Sequence, residues 1–299
     1  MNKVGFIGLG IMGRPMVNNL LKNKFEVYVN DINEQAVKEA VKNGGIEVSI
    51  SDMAQKVDVI ITMLPAAQHV YSVLRGEQGV FENAHEGLIL ADMSSIGPVD
   101  AKKIAEEAKK YSVYTLDAPV SGGEPGAING TLSIMVGGEQ KILDEVMPIF
   151  KSIGKDIVLV GNHGSGVTAK LANQIIVNLN IAAVSEALVL SAKAGIDIEK
   201  MYHAIRGGLA GSTVLDAKVP LILDRNFKPG GTIKINMKDI TNVMSTAHEL
   251  DVPLPMTSQL LEIFHSLVAN GELLSDHGSI VKYYEKIANV VVRKVMLKA

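Results

Sequence analysis

The chain has 299 residues, a formal net charge of −3 and no cysteine, and 47% of its residues are hydrophobic. This length predicts about two domains with substantial cores. The weak negative charge gives no electrostatic reason to expect nucleic acid or an anionic membrane as a partner. The lack of cysteine excludes disulfides, thiolate metal ligands and a cysteine nucleophile. The N-terminal residues run directly into a strand pattern rather than a cleavable signal, so we expect a cytoplasmic protein.

The first motif is a glycine-rich turn between a strand and a helix. The apolar run 4–7 is followed by Gly8-Leu9-Gly10-Ile11-Met12-Gly13, and residues 15–22 have a helical pattern. In such a turn Gly8 makes the bend, Gly10 lets the backbone approach a pyrophosphate, and Gly13 lets the helix pack on the strand. The helix N-terminus adds free N–H groups and about half a positive charge. We therefore expect a dinucleotide site that includes Ile11 and Met12; a glycine turn without a ligand is the alternative.

The second strand, residues 25–29, ends at Asn30 and Asp31, which we also assign to the dinucleotide site. Asp31 is placed to accept hydrogen bonds from the adenosine ribose hydroxyls, and its charge would repel a 2′-phosphate. The next residues contain no arginine to receive that phosphate. This pattern favours NAD(H), with NADP(H) as the alternative cofactor. Arg14, just after the glycine turn, either touches phosphate or is solvated.

The rest of the first half alternates Val/Ile/Leu-rich strands with amphipathic helices. This pattern predicts a mainly parallel sheet covered by helices on both faces. Strands are expected at 57–63, 88–91, 114–116, 132–136 and 157–160, and helices at 33–43 and 98–110. Ligands of such sheets bind beyond the carboxyl ends of the strands. Besides the glycine turn, the segments expected there are Met63-Leu64-Pro65, residues 92–95 and residues 117–123.

The segment 117–123 reads Asp-Ala-Pro-Val-Ser-Gly-Gly and places the Ser121 hydroxyl beside Gly122 and Gly123. A hydroxyl next to two glycines exposes a cluster of backbone donors, which suits a carboxylate. An ordinary tight turn is the alternative.

A long apolar stretch runs from Gly164 to about Lys193 without a proline. It predicts one helix of roughly 40 Å that joins two domains, with Ser165 as its N-cap. A membrane span is the alternative, but polar residues such as Asn178 would be costly in lipid.

Lys170, Asn173 and Gln174 share one face of this helix because they stand at i, i+3 and i+4. Polar groups on an otherwise apolar helix have to be satisfied or used. A lysine that extends to solvent near the start of a helix is the alternative.

The second half has a helical pattern throughout. Helices are expected at 197–206, 213–223, 235–250, 255–269 and 276–290, with breaks at 207–208, 228–231 and 252–255. Lys238-Asp239 is a charged pair whose simplest interpretation is solvation. The seven histidines have no metal-binding spacing, so we expect no metal. No phosphate-binding GxxxxGK[ST] motif occurs, which argues against a nucleoside triphosphatase.

These motifs together resemble the β-hydroxyacid dehydrogenase family over nearly the whole chain. The resemblance implies a Rossmann-type domain at 1–163, with a doubly wound sheet, and an all-helical domain at 164–299. The two are joined by the long interdomain helix, with the active site beside it. It also implies that Lys170 is the catalytic residue and that the substrate is held by Ser121, Gly122, Gly123 and Asn173. Near the cofactor, the resemblance places Met63, Leu64, Pro65, Ser95 and Lys238.

Longer runs resemble the tartronate semialdehyde reductase branch of the family. They lie at 117–131, 170–174, 204–218 and 224–230. The resemblance implies reduction of tartronate semialdehyde to glycerate with NAD(P)H by a homodimer or homotetramer. Two departures are Ser95, where many relatives have threonine, and residues 230–232, which replace a bulkier segment.

The alternatives are 3-hydroxyisobutyrate dehydrogenase, another short β-hydroxyacid dehydrogenase or a succinic semialdehyde reductase. Imine reductases usually replace the lysine that is kept here as Lys170. Decarboxylating sugar-phosphate dehydrogenases have a much larger helical domain, and a non-catalytic cofactor sensor would not need Lys170, Asn173 and the glycine segment.

Overall fold

The computed structural model describes residues 1–228 and 230–294. The chain divides into two compact units, Met1–Lys170 and Leu171–Ala299, so the division falls inside the long helix. Pro229, part of the expected break at 228–231, and residues 295–299 of the expected second domain lie outside the described residues.

The first unit is built on one sheet of nine strands. The strands are β1 (Lys3–Ile7), β2 (Glu26–Asn30), β3 (Ile46–Glu47), β4 (Val59–Thr62), β5 (Ile89–Asp92), β6 (Tyr114–Asp117), β7 (Val120–Ser121), β8 (Leu132–Gly138) and β9 (Gly154–Gly161). Their order is β3-β2-β1-β4-β5-β6-β8-β7, and β9 pairs with β8. The pairs β6–β8 and β7–β8 are antiparallel, and every other pair is parallel. The prediction of a mainly parallel sheet is confirmed.

Helices cover both faces of this sheet. They are α1 (Gly13–Lys22), α2 (Glu34–Lys42), α3 (Ile50–Lys56), α4 (Ala67–Leu74), α5 (Val80–Asn83), α6 (Pro98–Ala108), α7 (Gly123–Asn129) and α8 (Gln140–Ile153). Successive strand residues point to opposite faces, and Ile60 and Ile61 accordingly belong to two separate hydrophobic cores. The two-sided covering is confirmed, whereas α3, α4, α5, α7 and α8 were not expected.

The carboxyl ends of the central strands form one row across the sheet. Ile7 lies opposite Asn30 and Thr62, Thr62 lies opposite Asp92, and Asp92 lies opposite Asp117. The glycine turn, Asp31, and the segments after Thr62, Asp92 and Asp117 therefore all leave the sheet at the same edge. The strand order reverses between β1 and β4, which is where ligands of such sheets bind.

The long helix α9 (Ser165–Lys193) has 29 residues and extends about 44 Å. Its first residue is Ser165, and the Thr168 N–H donates to the Gly164 carbonyl at 3.1 Å. Gly164 is therefore the N-cap residue, and the prediction that Ser165 caps the helix was wrong. By length and composition the helix could cross a membrane, with a mean hydropathy of 1.8 in its apolar window, but 44% of that window is buried inside the protein. Buried core helices pass the same test, so this is weak evidence for a membrane span.

The second unit is helical, as expected. After the remaining part of α9 come α10 (Ile198–Ile205), α11 (Thr213–Leu223), α12 (Ile233–Glu249), α13 (Pro255–Ala269) and α14 (Ile280–Ala288). Within residues 171–228 and 230–294 the β structure is limited to one bridge between Thr232 and Asp276. Two polar residues of α9, Asn178 and Ser185, are fully buried here and donate to carbonyls one turn earlier in the same helix.

Candidate active site

The three glycines of the first turn occupy three different environments. Gly8 has φ +104°, and a Cβ there would lie 2.3 Å from the Met63 carbonyl oxygen. A Cβ on Gly13 would lie 1.9 Å from the Gly8 carbonyl oxygen, so helix α1 packs directly on the turn. A Cβ on Gly10 would meet nothing within 4 Å. The site therefore needs glycine at positions 8 and 13 for its own packing and leaves open space at position 10.

The N-terminus of α1 suits an anion. Its first turn contains no acidic residue, and the N-cap position, Met12, makes no side-chain capping bond. Backbone N–H groups at such a terminus carry partial positive charge and are ready to bind phosphate. Together with the space at Gly10, this arrangement fits the pyrophosphate of a dinucleotide.

Asp31 is held against the glycine turn. Its Oδ2 accepts a hydrogen bond from the Leu9 N–H at 2.5 Å, and its Oδ1 accepts one from the Asn33 N–H at 2.7 Å. Each carboxylate oxygen has a second lone pair, so both can still accept from ribose hydroxyls. Arg14 forms an ion pair with Glu39, and both side chains are about half exposed.

A hydrogen-bonded network joins the segments that follow β4 and β5. The Leu64 N–H donates to Ser94 Oγ at 2.9 Å, which ties Met63-Leu64-Pro65 to the segment containing Ser95. Beneath them, Asp92 Oδ1 accepts from the Thr62 hydroxyl at 2.7 Å and from the Ser94 N–H at 3.0 Å. Burial raises the pKa of the Asp92 carboxyl to about 6, although these hydrogen bonds oppose the shift.

The segment 121–123 is the start of a helix rather than an isolated tight turn. Ser121 ends β7 and lies opposite Ser133 of β8. Gly122 and Gly123 have φ of +129° and +61°, values that favour glycine, and they begin α7 with their backbone exposed. The Asn19 amide of α1 donates to the Ala127 carbonyl at 2.7 Å, so α7 is fixed to the helix that follows the glycine turn.

Lys170 lies in the second turn of α9 and is 9% exposed. The alternative of a lysine that extends to solvent is therefore wrong. The start of this helix is held by Asp117, whose Oδ1 accepts from the Gly164 N–H at 2.8 Å and whose Oδ2 accepts from the Val167 N–H at 3.0 Å. Burial raises the pKa of the Asp117 carboxyl, against the lowering effect of these two bonds.

In the second unit, Asn173 and Lys238 belong to one polar network. The Asn173 amide donates to Gln174 Oε1 at 3.0 Å, and the Gln174 amide donates to Asp239 Oδ2 at 2.6 Å. Lys238 Nζ lies 2.9 Å from Asp239 Oδ1. Asp239 is 3% exposed, so the interpretation of Lys238-Asp239 as a solvated pair was wrong.

Comparisons with known proteins show which family the chain belongs to. A family model described as the NAD binding domain of 6-phosphogluconate dehydrogenase matches residues 3–161. Another, described as NAD-binding of NADP-dependent 3-hydroxyisobutyrate dehydrogenase, matches residues 164–284. A protein of Escherichia coli (strain K12) named 2-hydroxy-3-oxopropionate reductase is 42% identical over 288 residues, covering 96% of this chain and 98% of that protein. The chain belongs to the β-hydroxyacid dehydrogenase family.

Other relatives of this β-hydroxyacid dehydrogenase are named for different substrates. The 2-(hydroxymethyl)glutarate dehydrogenase of Eubacterium barkeri is 37% identical over 292 residues, covering 97% of each chain. A solved structure of Mycobacterium tuberculosis 3-hydroxyisobutyrate dehydrogenase with L-serine has a TM-score of 0.87 at 27% identity and covers 95% of this chain and 99% of that one. The predicted family and Rossmann-type fold are confirmed, and the protein is an oxidoreductase that uses a nicotinamide cofactor.

Sequence reasoning missed Asn19 and the hydrogen-bonding roles of Asp92 and Asp117, although it placed the segments of both aspartates at this edge of the sheet. The Asn19 contact spans 108 positions, and the Asp117 contacts span 47 and 50 positions. No local spacing signals such contacts. Within the described residues, no group of three or more His, Cys, Asp or Glu is arranged to hold a metal ion.

Proposed function

We propose that this β-hydroxyacid dehydrogenase reduces tartronate semialdehyde (2-hydroxy-3-oxopropanoate) to glycerate, with NADH favoured over NADPH. The main support is the 42% identity to the relative named 2-hydroxy-3-oxopropionate reductase, over 96% of this chain. The compounds that give the three relatives their names share one feature. Each carries an oxygen on the carbon β to a carboxylate. The proposed substrate belongs to that class.

The carboxylate of the substrate binds at Ser121, Gly122 and Gly123. The positive φ values of both glycines turn the chain into α7 there and leave their backbone exposed, and backbone N–H groups in such a turn bind anions. Asn173, one turn beyond Lys170 in the same helix, orients the substrate oxygen. The Gln174 amide oxygen accepts from Asn173 and thereby fixes which atoms of Asn173 face the substrate.

Lys170 supplies the proton. A nicotinamide held at the glycine turn and Asp31 would supply the hydride for the aldehyde carbon, and the aldehyde oxygen gains negative charge as the carbon is reduced. The protonated Lys170 ammonium donates a hydrogen bond to that oxygen, stabilises the charge and transfers its proton. A largely buried ammonium is effective here, because its field is less screened than it would be in water.

Asp31 is the basis for the cofactor preference. A carboxylate fixed to the glycine turn accepts from ribose hydroxyls but repels a 2′-phosphate. The segment after Asp31 supplies Asn33 as the cap of α2, and Ile32 is fully exposed. Neither side chain carries a positive charge that would offset the repulsion.

The test is oxidation of NADH and NADPH, followed at the nicotinamide absorbance. The three substrates are tartronate semialdehyde, methylmalonate semialdehyde and succinic semialdehyde. We expect kcat/KM for tartronate semialdehyde to exceed the others by at least about tenfold, a difference of about 1.4 kcal/mol in transition-state binding. Preference for methylmalonate semialdehyde would instead assign 3-hydroxyisobutyrate dehydrogenase activity.

The role of Lys170 has a matched control. Lys170→Met should lower kcat by at least about 100-fold, the usual minimum for loss of a general acid, and leave the Kd for NADH unchanged. Lys102 of α6 serves as the control lysine, because its Cε lies close to Gly164 at the start of the same helix. Lys102→Met should turn over normally, and a Lys170→Met enzyme that does so would refute the assignment.

We further propose a cytoplasmic homodimer or homotetramer that binds neither nucleic acid nor membrane. In support, apolar side chains of α9 are exposed in the single chain, with Ile176 at 67% and Leu190 at 73%, and exposed apolar groups often mark contacts between subunits. Light scattering coupled to size-exclusion chromatography measures the assembly directly; a monomer at micromolar concentration would contradict it.

A further inference from the structure

Asp117 belongs to the strand that leads to the carboxylate segment, and its side chain binds the start of the helix bearing Lys170. It ends β6, four residues before Ser121, and it is 4% exposed. Its two carboxylate oxygens accept from the N–H groups of Gly164 and Val167, the N-cap and third residues of α9. Helices usually take such bonds from their own N-cap side chain, but Gly164 has none.

The contact between this helix and the strand ends leaves no free space. A Cβ on Gly166 would lie 2.4 Å from the carbonyl oxygens of both Asp117 and Met135. A Cβ on Gly137 would lie 2.5 Å from Asp117 Oδ1. The carboxylate and the first turn of α9 are therefore enclosed, and the helix cannot slide along the sheet edge without breaking both capping bonds.

Lys170 stands directly above this turn. It follows Gly166 by four residues and Val167 by three, so all three lie on neighbouring rows of one helix face. The Cα–Cβ bonds of helical residues tilt toward the N-terminus of their helix, so the Lys170 side chain leaves the helix on the side of the turn that Asp117 holds. On the other side of Asp117, β7 is fixed by its pairing with β8 and carries Ser121 at its end.

We infer that Asp117 is a positioning residue, whose carboxylate sets the distance between the Lys170 ammonium and the Ser121-Gly122-Gly123 segment without touching the substrate. This inference rests on the proposed function. A purely structural cap would stabilise the fold and nothing more. A positioning residue also controls kcat, because a displacement of about 1 Å between an acid and its substrate can cost about 100-fold in rate.

The experiment compares Asp117→Asn with Asp197→Ala. Asparagine keeps one acceptor but replaces the other oxygen by a donor amide, so it can cap only one of the two N–H groups. Asp197 is the matched control, since its carboxylate caps α10 by accepting from the Lys200 N–H at 3.1 Å. For Asp117→Asn we expect kcat to fall at least tenfold while the Kd for NADH and the KM for the semialdehyde change by less than threefold. Asp197→Ala loses its cap at a cost of about 1 kcal/mol, so its Tm should fall while kcat stays within twofold of the wild type.

A second variant acts on the same contact without altering the carboxylate. Gly166→Ala places a methyl group against the two strand carbonyls, so the helix has to move away, and we expect the same selective fall in kcat. This variant also decides the question if Asp117→Asn is insoluble. If kcat in Asp117→Asn and Gly166→Ala stayed within twofold of the wild type despite a lower Tm, as expected for Asp197→Ala, the inference would be overturned.

Hydrogen exchange separates failure of this inference from failure of the proposed function. Amide exchange in segment 164–170 should accelerate at least tenfold in Asp117→Asn, whatever the substrate is. If the wild-type enzyme reduces none of the three semialdehydes, the proposed function fails alone. If exchange in this segment is unchanged, Asp117 does not hold the helix and the inference fails alone.

Discussion

Alanine substitutions at Gly10 and Gly13 should separate cofactor binding from stability within one six-residue turn. A methyl group at position 10 meets nothing within 4 Å, whereas at position 13 it would lie 1.9 Å from a backbone oxygen. Gly10 also lacks the positive φ that makes a side chain costly at Gly8. Gly10→Ala should therefore fold normally and fill only the space that the pyrophosphate approaches.

The two substitutions should change different quantities: Gly13→Ala mainly lowers Tm, and Gly10→Ala mainly raises the Kd for NADH. Gly13→Ala forces α1 away from the turn, and overpacking of this sort costs about 1–3 kcal/mol, or a Tm about 2–12 °C lower in a unit of this size. Gly10→Ala should change Tm by no more than about 2 °C, because removing a glycine also restricts the unfolded chain. Its Kd for NADH should rise at least about tenfold, a loss of about 1.4 kcal/mol.

Differential scanning calorimetry without cofactor and fluorescence titration with NADH measure the two quantities independently. The reasoning fails if Gly10→Ala binds NADH like the wild type, because the space at position 10 would then not be where phosphate binds. It also fails if Gly10→Ala unfolds as early as Gly13→Ala, because the protein itself would then occupy that space.

Three further predictions concern buried or partly buried polar groups. Asp31→Ser should raise kcat/KM for NADPH relative to NADH at least about tenfold, since it removes the repulsion of a 2′-phosphate; an unchanged ratio in a two-cofactor assay would show that Asp31 does not set the preference. Burial raises the pKa of Asp92 from 3.8 to about 6, so its contribution to stability is complete below about pH 4 and is lost as the pH rises through about 6. Asp92→Asn keeps the acceptor for Thr62 and has no carboxyl to titrate, so its Tm should fall less than that of the wild type as the pH rises from about 4 to about 6. Parallel curves of Tm against pH for the two proteins would contradict this. Gln174→Met should lower kcat/KM about tenfold with the Kd for NADH unchanged, because Asn173 loses its orienting acceptor; full activity by steady-state kinetics would exclude that role.

The parts of the site that the sequence predicted are local in the chain. The glycine turn, its flanking strand and helix, and Asp31 follow from about thirty consecutive residues, since each has a distinct backbone or pattern requirement. Helix α9 was equally clear because no proline interrupts 29 residues. In contrast, α5 has only four residues, too few for a helical period to be visible. Helix α7 contains two glycines and a proline and therefore has the composition of a turn.

The parts that could not be predicted depend on packing between distant segments. An adjacent charged pair such as Lys238-Asp239 says nothing about burial, and only the fold brings Gln174 within 2.6 Å of Asp239. Similarly, Ser165 has the right residue type for a cap, but Asp117 already supplies both bonds from 47 and 50 positions away.

The boundary between the compact units lies inside α9, which limits how the first unit can be isolated. A fragment that ends at residue 163 would keep the Asp117 carboxylate but lose both of its N–H donors, and it would uncover the strand ends on which Gly166 rests. A fragment that continues through Lys170 retains both donors and the packed turn. Any attempt to transplant or recombine the nucleotide-binding half of this enzyme should therefore place its junction beyond the second turn of the helix.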